Sequence, residues 1–286
     1  MENTHKKCLL CNGANLADLK NYEKDYLVKC SACDFVFSRK IPAPGELQDH
    51  YNHYKRGGGI SHITIKRYNE LLDVFEKYRK TGNMLDIGCG DGYFLATAML
   101  RGWQVYGTEF TDEATEICKA KGISIHNGVL NAGNYKGIEF DVITSFEVIE
   151  HINVPQAEIA NIKAILRNNG LLYITTPNFN SVSRYVLGPK WTVIEYPEHL
   201  SYYTPKTMHA FLHKHGFGKI KIETTGINIS RFKNSIAPAQ GANANENFRE
   251  KAESKILYKY LKLIINGFLN ISQKGDNLKA YYIKKS

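Results

Sequence analysis

The segment Met84–Phe94 constrains this chain most, because three alternate glycines follow directly after a short apolar strand pattern. At Gly88, Gly90 and Gly92 the backbone can turn tightly and approach a ligand without a Cβ in the way. Glu109 ends a second predicted strand 21 residues after Gly88. A nucleotide-binding α/β unit places a carboxylate there for the ribose hydroxyls. The segment therefore predicts a nucleotide-type ligand at the first turn of an α/β sheet.

Strand and helix patterns alternate from this turn onward, which predicts a parallel sheet covered by helices on both faces. The predicted strands are 84–87, 104–109, 123–126, 140–146, 170–176, 219–225 and 278–283. The predicted helices are 93–101, 112–121, 155–166 and 205–215, with an amphipathic helix over 68–78 ahead of the first strand. The expected fold class is α/β, with a doubly wound, Rossmann-like sheet of seven strands.

Three motifs resemble those of the class I S-adenosylmethionine-dependent methyltransferases. Leu85–Gly92 resembles motif I of that family, Gly107–Phe110 is similar to its acidic motif, and Phe140–Ile152 resembles its fourth-strand motif. The three occur in the family's order and spacing and span about half of the chain. The resemblance implies S-adenosylmethionine as the cofactor. It also implies that the last strand is antiparallel and inserts between the fifth and the sixth.

The cofactor residues are expected around one crevice, because ligands of open α/β sheets lie beyond the carboxyl ends of the strands. Glu109 is expected to accept hydrogen bonds from both ribose hydroxyls. Many family members carry a carboxylate in the 127–131 turn, whereas Leu130 stands there in this chain and is expected to pack on the adenine ring. The predicted cofactor-binding residues are Asp86, Gly88, Gly90, Glu109, Phe110, Leu130 and Phe146.

Two Cys-x-x-Cys pairs occupy the N-terminal 40 residues. Cys8 and Cys11 are separated from Cys30 and Cys33 by 18 residues, a spacing within the zinc-ribbon pattern. Each pair can turn two thiolates toward one point, and four thiolates complete a tetrahedral site with no open position. The pattern predicts one structural zinc ion. Redox thiols and four unrelated cysteines are the alternatives.

The chain divides into three predicted parts. Residues 1–40 form the zinc-ribbon-like module, residues 41–82 are a linker with the leading helix, and residues 83–286 form the methyltransferase domain. Within the last part, 228–274 is an insertion that combines a mobile loop at 237–247 with an apolar helix.

Two segments have open roles. The polar and aromatic segment 49–54 either caps the cofactor or packs the ribbon against the main domain. The apolar helix over 255–271 packs on the core, forms a homodimer contact or lies on a membrane surface through its lysines.

The net charge of +9 raises the question of a nucleic-acid partner, but its distribution disfavours one. Residues 1–60 are nearly neutral, and the excess of basic residues is concentrated from Arg249 onward. A charged tail of this kind is more typical of a solvated helix face than of an RNA track. The chain has no run of 18 apolar residues and no signal-peptide pattern, so a cytoplasmic protein without a transmembrane segment is expected.

The loop at 177–204 is the candidate acceptor site, because it is too long for a mere connection. His199 is the predicted general base, since an oxygen acceptor gains from a positioned base with a pKa near 6.5. His151, which follows the fourth strand, is its rival. A structural role for His199, bonded to a loop carbonyl, is the alternative. The predicted substrate-binding residues are Tyr196, Glu198, Tyr202 and Asn178.

The segment Pro197–Pro205, together with the cysteine pairs, resembles a bacterial subgroup of these methyltransferases. That subgroup is associated with cell-surface sugars, polysaccharides and secondary metabolites. The resemblance implies a small-molecule acceptor such as the hydroxyl of a nucleotide-linked or phosphorylated sugar. Two other classes stay open: an RNA base methyltransferase whose ribbon holds RNA, and a non-catalytic module that kept the cofactor fold.

Overall fold

The structure, a computed structural model, describes residues 3–43, 45–46, 57–227 and 256–286. In the last helix the side chains are described from Leu263 onward. The segment 49–54 and the loop 237–247, both interpreted above, lie outside the described residues.

The described residues form eleven strands and seven α-helices. The strands are β1 Leu16–Asp18, β2 Leu27–Cys30, β3 Val36–Ser38, β4 Asn83–Ile87, β5 Gln104–Glu109, β6 Ser124–Asn127, β7 Phe140–Phe146, β8 Leu166–Pro177, β9 Ser201–Tyr202, β10 Phe217–Thr225 and β11 Asn277–Lys284. The helices are α1 His62–Phe75, α2 Tyr93–Leu100, α3 Asp112–Ala120, α4 Pro155–Ile165, α5 Val182–Leu187, α6 Pro205–Lys214 and α7 Ile256–Ile271.

The main sheet has seven strands in the order β10-β11-β8-β7-β4-β5-β6. Strands β4 to β8 are parallel to one another, whereas β11 is antiparallel to both β8 and β10. The last strand thus inserts between the fifth and the sixth strands of this sheet. The predicted fold class and the predicted position of that strand are confirmed.

The central strands are apolar on both faces because helices cover both sides of the sheet. In β4, Met84 belongs to the core beneath α1 and α2, whereas Leu85 faces the core beneath α4 and α6. Val142 and Ile143 divide in the same way in β7. This alternation follows from the two-residue period of a strand, and it aligns the carboxyl ends of β4, β5 and β7 at one edge.

Local capping signals fix where the helices begin. Helix α1 starts six residues earlier than the predicted 68, because the Ser61 side chain accepts a hydrogen bond from the Thr64 amide at 3.2 Å. Helix α6 starts as predicted, with a reciprocal capping box between Thr204 and Thr207 and with Pro205 in its first turn.

A second, antiparallel sheet, here called the ribbon sheet, has the order β1-β2-β3-β9. The N-terminal module contributes its first three strands, and the loop after α5 contributes β9. Strand β9 pairs with β3, with Tyr202 opposite Val36 and Ser201 opposite Phe37. The Phe35 ring lies 5.0 Å from the Tyr203 ring, measured between centroids, and both side chains are fully buried. The ribbon-like module therefore shares a core with the rest of the chain.

Helix α7 packs through one side and exposes another. Leu269 is buried, whereas Ile264, Phe268 and Ile271 are mostly exposed. Among the described residues, no helix combines the length and the apolar character needed to span a bilayer.

Candidate functional site

The glycine turn after β4 has the backbone that its sequence requires. Gly88, Gly90 and Gly92 have φ angles of +63°, +54° and +73°, which L-residues with a side chain rarely adopt. A Cβ on Gly88 would lie 2.6 Å from Cγ2 of Val148, and one on Gly92 would lie 2.5 Å from Cδ1 of Ile123. The turn therefore packs against the residues after β7 at Gly88 and against the residue before β6 at Gly92.

Glu109 holds this turn from the end of β5. Its Oε2 accepts a hydrogen bond from the Gly90 amide at 3.0 Å, and its Oε1 accepts from the amide and hydroxyl of Thr111 at 3.3 and 3.2 Å. The carboxylate predicted to bind the ribose is thus held in place by the glycine turn and by Thr111.

Asp86 is a second carboxyl group at the same edge. Burial raises the pKa of Asp86 to about 7, the hydrogen bond from Thr144 lowers it, and the charge of Glu109 raises it. The Thr144 hydroxyl donates to Oδ1 of Asp86 at 2.7 Å. Two buried acidic groups at this edge of the sheet suit a ligand with positive charge, because such a ligand favours the ionised form of Asp86.

The other predicted cofactor residues occupy different environments. Phe110, just beyond Glu109, is about half exposed, and the Phe146 ring lies 4.9 Å from the Phe94 ring between centroids. Leu130 is 3% exposed and belongs to the apolar core, whereas Val129 beside it is 75% exposed. At this turn it is therefore Val129 that offers apolar surface to a ligand.

The two candidate histidines lie side by side. His151 ends the 3₁₀ turn Ile149–His151 after β7, and His199 lies in the loop before β9. Their ring centroids are 4.8 Å apart and the rings are inclined by 50°. The predicted rivals thus belong to one cluster, and the Val148 that touches Gly88 lies three residues before His151.

Glu150 completes this cluster, and the sequence analysis did not single it out. One ligand atom from each of Glu150, His151 and His199 lies within 4.8 Å of the others, and Glu150 is 2% exposed. The sequence signal was an acidic residue next to a histidine after a strand end. Glu147, three residues before Glu150, has a φ of +53°, a strained conformation typical of functional turns.

Of the predicted substrate residues, Glu198 and Tyr202 bond to the two candidate histidines, whereas Asn178 and Tyr196 contact other parts of the fold. The Glu198 carbonyl accepts a hydrogen bond from His151, and the Tyr202 hydroxyl donates to the His199 carbonyl at 3.0 Å. Tyr202 is buried in the ribbon sheet. Asn178 is fully buried, and its amide nitrogen donates to the Gly275 carbonyl at 2.7 Å. Tyr196 is half-buried, and its hydroxyl donates to Glu46 at 3.3 Å.

The four predicted metal-ligand cysteines converge on one point in the N-terminal module. All four sulfur atoms lie within 4.8 Å of one another, and the Cys8–Cys33 and Cys11–Cys30 pairs are 3.5 Å apart. A tetrahedral zinc site with Zn–S bonds of about 2.3 Å needs sulfur atoms about 3.8 Å apart, so the arrangement fits zinc.

The two cysteine turns have the same backbone. In each, the residue four positions after the first cysteine donates its amide to that cysteine's carbonyl at 3.0 Å. These residues, Asn12 and Asp34, have φ angles of +66° and +64°. The repeated geometry is that of a pair of metal-binding knuckles.

A family model described as a methyltransferase domain matches residues 60–222, which is more than half of the chain. Among curated relatives, the ubiquinone biosynthesis O-methyltransferase of Haemophilus ducreyi is 32% identical over 139 residues, covering 45% of this chain and 56% of that protein. The enzyme of the same name from Actinobacillus pleuropneumoniae serotype 5b is 34% identical over 140 residues, covering 45% and 57%. The chain thus spans about half the length of these relatives.

Two solved structures share the fold. A SAM-dependent methyltransferase from Archaeoglobus fulgidus has a TM-score of 0.53 at 18% identity, covering 79% of this chain and 95% of that one. A protein from Galdieria sulphuraria, described as a putative sarcosine dimethylglycine methyltransferase, has a TM-score of 0.52 at 14% identity, covering 78% and 84%.

Proposed function

The chain belongs to the S-adenosylmethionine-dependent methyltransferases, and from that premise we propose that it methylates a hydroxyl of a small-molecule acceptor. The observation that carries the proposal is the contact of Val148 with Gly88. Val148 lies three residues before His151, so this contact supports a position of the histidine cluster near the cofactor turn. The O-methyltransferase names of the curated relatives support oxygen as the acceptor atom.

The residues of the crevice position the cofactor. S-Adenosylmethionine, when bound, supplies a methyl group on a cationic sulfur. In our proposal Glu109 accepts hydrogen bonds from the ribose, and Asp86 offers a carboxylate to the positively charged part of the ligand. The glycine turn allows close approach of the backbone, and Val129 and Phe110 provide apolar surface. Catalysis then depends on alignment with the acceptor oxygen.

Two acceptor classes are proposed for the hydroxyl. The resemblance of Pro197–Pro205 to the sugar-associated subgroup favours a nucleotide-linked or phosphorylated sugar in polysaccharide or secondary-metabolite synthesis. The relatives named for ubiquinone biosynthesis favour a phenolic precursor of a quinone as the second candidate. RNA remains the alternative outside both classes.

An acceptor assay separates these classes. The enzyme and methyl-labelled cofactor are incubated in three parallel reactions. One contains a sugar-nucleotide extract, one a set of phenolic quinone precursors and one total RNA. Label in a sugar or phenol fraction supports the proposal, and label only in RNA would overturn it.

His199, the predicted general base, and its rival His151 are both candidates for that role within this function. The hydrogen bond between the Nδ1 of His199 and the Val193 carbonyl, 2.5 Å long, fits the structural role that was the alternative. The same bond puts the proton of the neutral ring on Nδ1 and the lone pair on Nε2. Nδ1 of His151 likewise donates to a carbonyl, that of Glu198. The geometry therefore supports both histidines equally.

In the N-terminal module we propose one structural zinc ion bound by Cys8, Cys11, Cys30 and Cys33. Four thiolates leave no position for a substrate, so this ion would stabilise the ribbon only. On its own a module of this size buries little apolar surface, so metal binding and the core that it shares with the rest of the chain would both contribute to its folding free energy.

Replacing Glu109 by Ala should weaken the binding of S-adenosylmethionine about tenfold to a hundredfold, since a hydrogen bond to a charged group contributes about 1.5–3 kcal/mol. Calorimetric titration measures the dissociation constant. Glu113→Ala, which removes an exposed carboxylate from α3, is the matched control and should leave it unchanged. Equal affinity of the Glu109→Ala variant and the wild type would contradict this assignment.

Cofactor affinity should fall as the pH is lowered from 7.5 to 5.5. The pKa of Asp86 is about 7 before binding, and a cationic ligand favours the ionised carboxyl group, so binding releases a proton below that pH. The loss should approach about tenfold per pH unit at the acid end. Titrations of Asp86→Asn at the same pH values should show a flatter profile. An equally steep profile in that variant would assign the effect to another group.

Metal analysis should find one zinc equivalent per chain that the double variant Cys30→Ser/Cys33→Ser lacks. The matched control is Cys89→Ser/Cys118→Ser, which removes the other cysteine pair, 3.8 Å apart, and should keep that equivalent. Wild-type protein that folds without zinc would contradict the zinc ribbon.

A further inference from the structure

The cluster of Glu150, His151 and His199 joins parts of the chain that are far apart in sequence. Glu150 and His151 come from the turn after β7, whereas His199 comes from the loop before β9. Their ligand atoms nevertheless lie within 4.8 Å of one another. Two histidines and one carboxylate form the ligand set of open zinc sites and of the facial triads of other divalent metals.

The hydrogen bonds of both rings identify their tautomers. Nδ1 of His151 is 2.7 Å from the Glu198 carbonyl, and Nδ1 of His199 is 2.5 Å from the Val193 carbonyl. A carbonyl oxygen only accepts, so each Nδ1 carries the proton and each Nε2 carries a lone pair in the neutral ring. Histidine ligands of metals usually have this arrangement, in which the second nitrogen donates to a carbonyl or carboxylate.

Backbone hydrogen bonds hold the cluster in a fixed geometry. The Leu200 amide donates to the Glu150 carbonyl at 2.8 Å, and the His151 amide donates to the Val148 carbonyl at 2.9 Å. The His199 amide donates to the Glu195 carbonyl at 2.9 Å. Such bonds preorganise side chains that must converge on one point.

We propose that Glu150, His151 and His199 bind a divalent metal ion through one carboxylate and the two Nε2 atoms. The site is separate from the cysteine site, and three protein ligands leave at least one coordination position open. The proposal rests on the proposed hydroxyl methylation, because the cluster lies beside the cofactor turn through Val148 and Gly88. The open position can therefore take the acceptor.

The ion's role is to bind and polarise the acceptor hydroxyl. The oxygen forms a bond to the methyl carbon as the carbon–sulfur bond breaks, the bonding pair stays on sulfur, and the hydroxyl proton leaves to solvent. A divalent ion strongly lowers the pKa of an oxygen that it binds. When this ion is bound, His199 is one of its ligands, and the ion takes over the activation of the hydroxyl that the sequence prediction assigns to His199 as general base.

The test is a calorimetric titration of the zinc-loaded, full-length protein with Co²⁺. We expect one Co²⁺ per chain outside the cysteine site in the wild type. His151→Ala, His199→Ala and the isosteric Glu150→Gln should each weaken this binding at least about tenfold. The matched control is His209→Ala, which removes a histidine bonded to the Tyr282 hydroxyl and should bind Co²⁺ like the wild type.

Cofactor binding by the same variants separates this proposal from the function on which it rests. Weaker Co²⁺ binding with unchanged S-adenosylmethionine affinity, which also shows that the variant is folded, supports the metal site. Two results would overturn the metal site and leave the methyltransferase function standing. In the first, the wild type methylates a hydroxyl but binds no Co²⁺. In the second, the variants bind Co²⁺ like the control. A wild type that binds Co²⁺ but methylates no hydroxyl contradicts the proposed function instead.

Discussion

The two backbone hydrogen bonds of Leu200 connect the three parts on which the candidate acceptor site depends. Its amide donates to the Glu150 carbonyl in the turn after β7, and its carbonyl accepts from the Ser38 amide in the ribbon, both at 2.8 Å. Leu200 is 2% exposed, so an unmade bond at either group would cost about 1–3 kcal/mol. His199 precedes it directly, and the ribbon therefore helps to position this histidine beside His151.

This connection gives the N-terminal module a role beyond its own stability. Strand β9 belongs to the ribbon sheet, and the aromatic contact of Phe35 with Tyr203 continues the same interface. If the cysteines bind zinc as proposed, metal binding, ribbon folding and the placement of the acceptor loop are energetically linked. The cofactor turn depends on other contacts, chiefly the bond from Gly90 to Glu109, so cofactor binding should be largely independent of the ribbon.

The sequence was sufficient where local pattern decides the structure. The alternation of strands and helices predicts the main sheet, because apolar periodicity and glycine turns are properties of neighbouring residues. The family resemblance added the antiparallel last strand. The spacing of the cysteines predicts their convergence because each Cys-x-x-Cys pair is itself a local pattern. At the glycine turn the predicted residues have the backbone and the carboxylate contact that such a site needs.

The sequence was insufficient where distant segments pair. Strand β9 has only two residues, so no periodicity revealed that Tyr202, a predicted substrate residue, is buried opposite Val36. Glu150 was missed because its partner His199 is 49 positions away. In the turn after β6 the sequence analysis assigned Leu130 to the adenine ring, whereas Leu130 is buried in the core and its neighbour Val129 is exposed. These features depend on long-range packing, which composition and spacing do not encode.

Hydrogen exchange at the Leu200 amide most directly tests whether the ribbon positions the candidate acceptor loop, residues 177–204. The double variant Cys30→Ser/Cys33→Ser disturbs the ribbon without touching the loop. We predict that the amides of Leu200 and of the ribbon strands then exchange faster than in the wild type, while the amides of β4 and of Gly90 keep their protection. A Leu200 amide that remains as protected as in the wild type, although the ribbon amides exchange freely, would contradict this account.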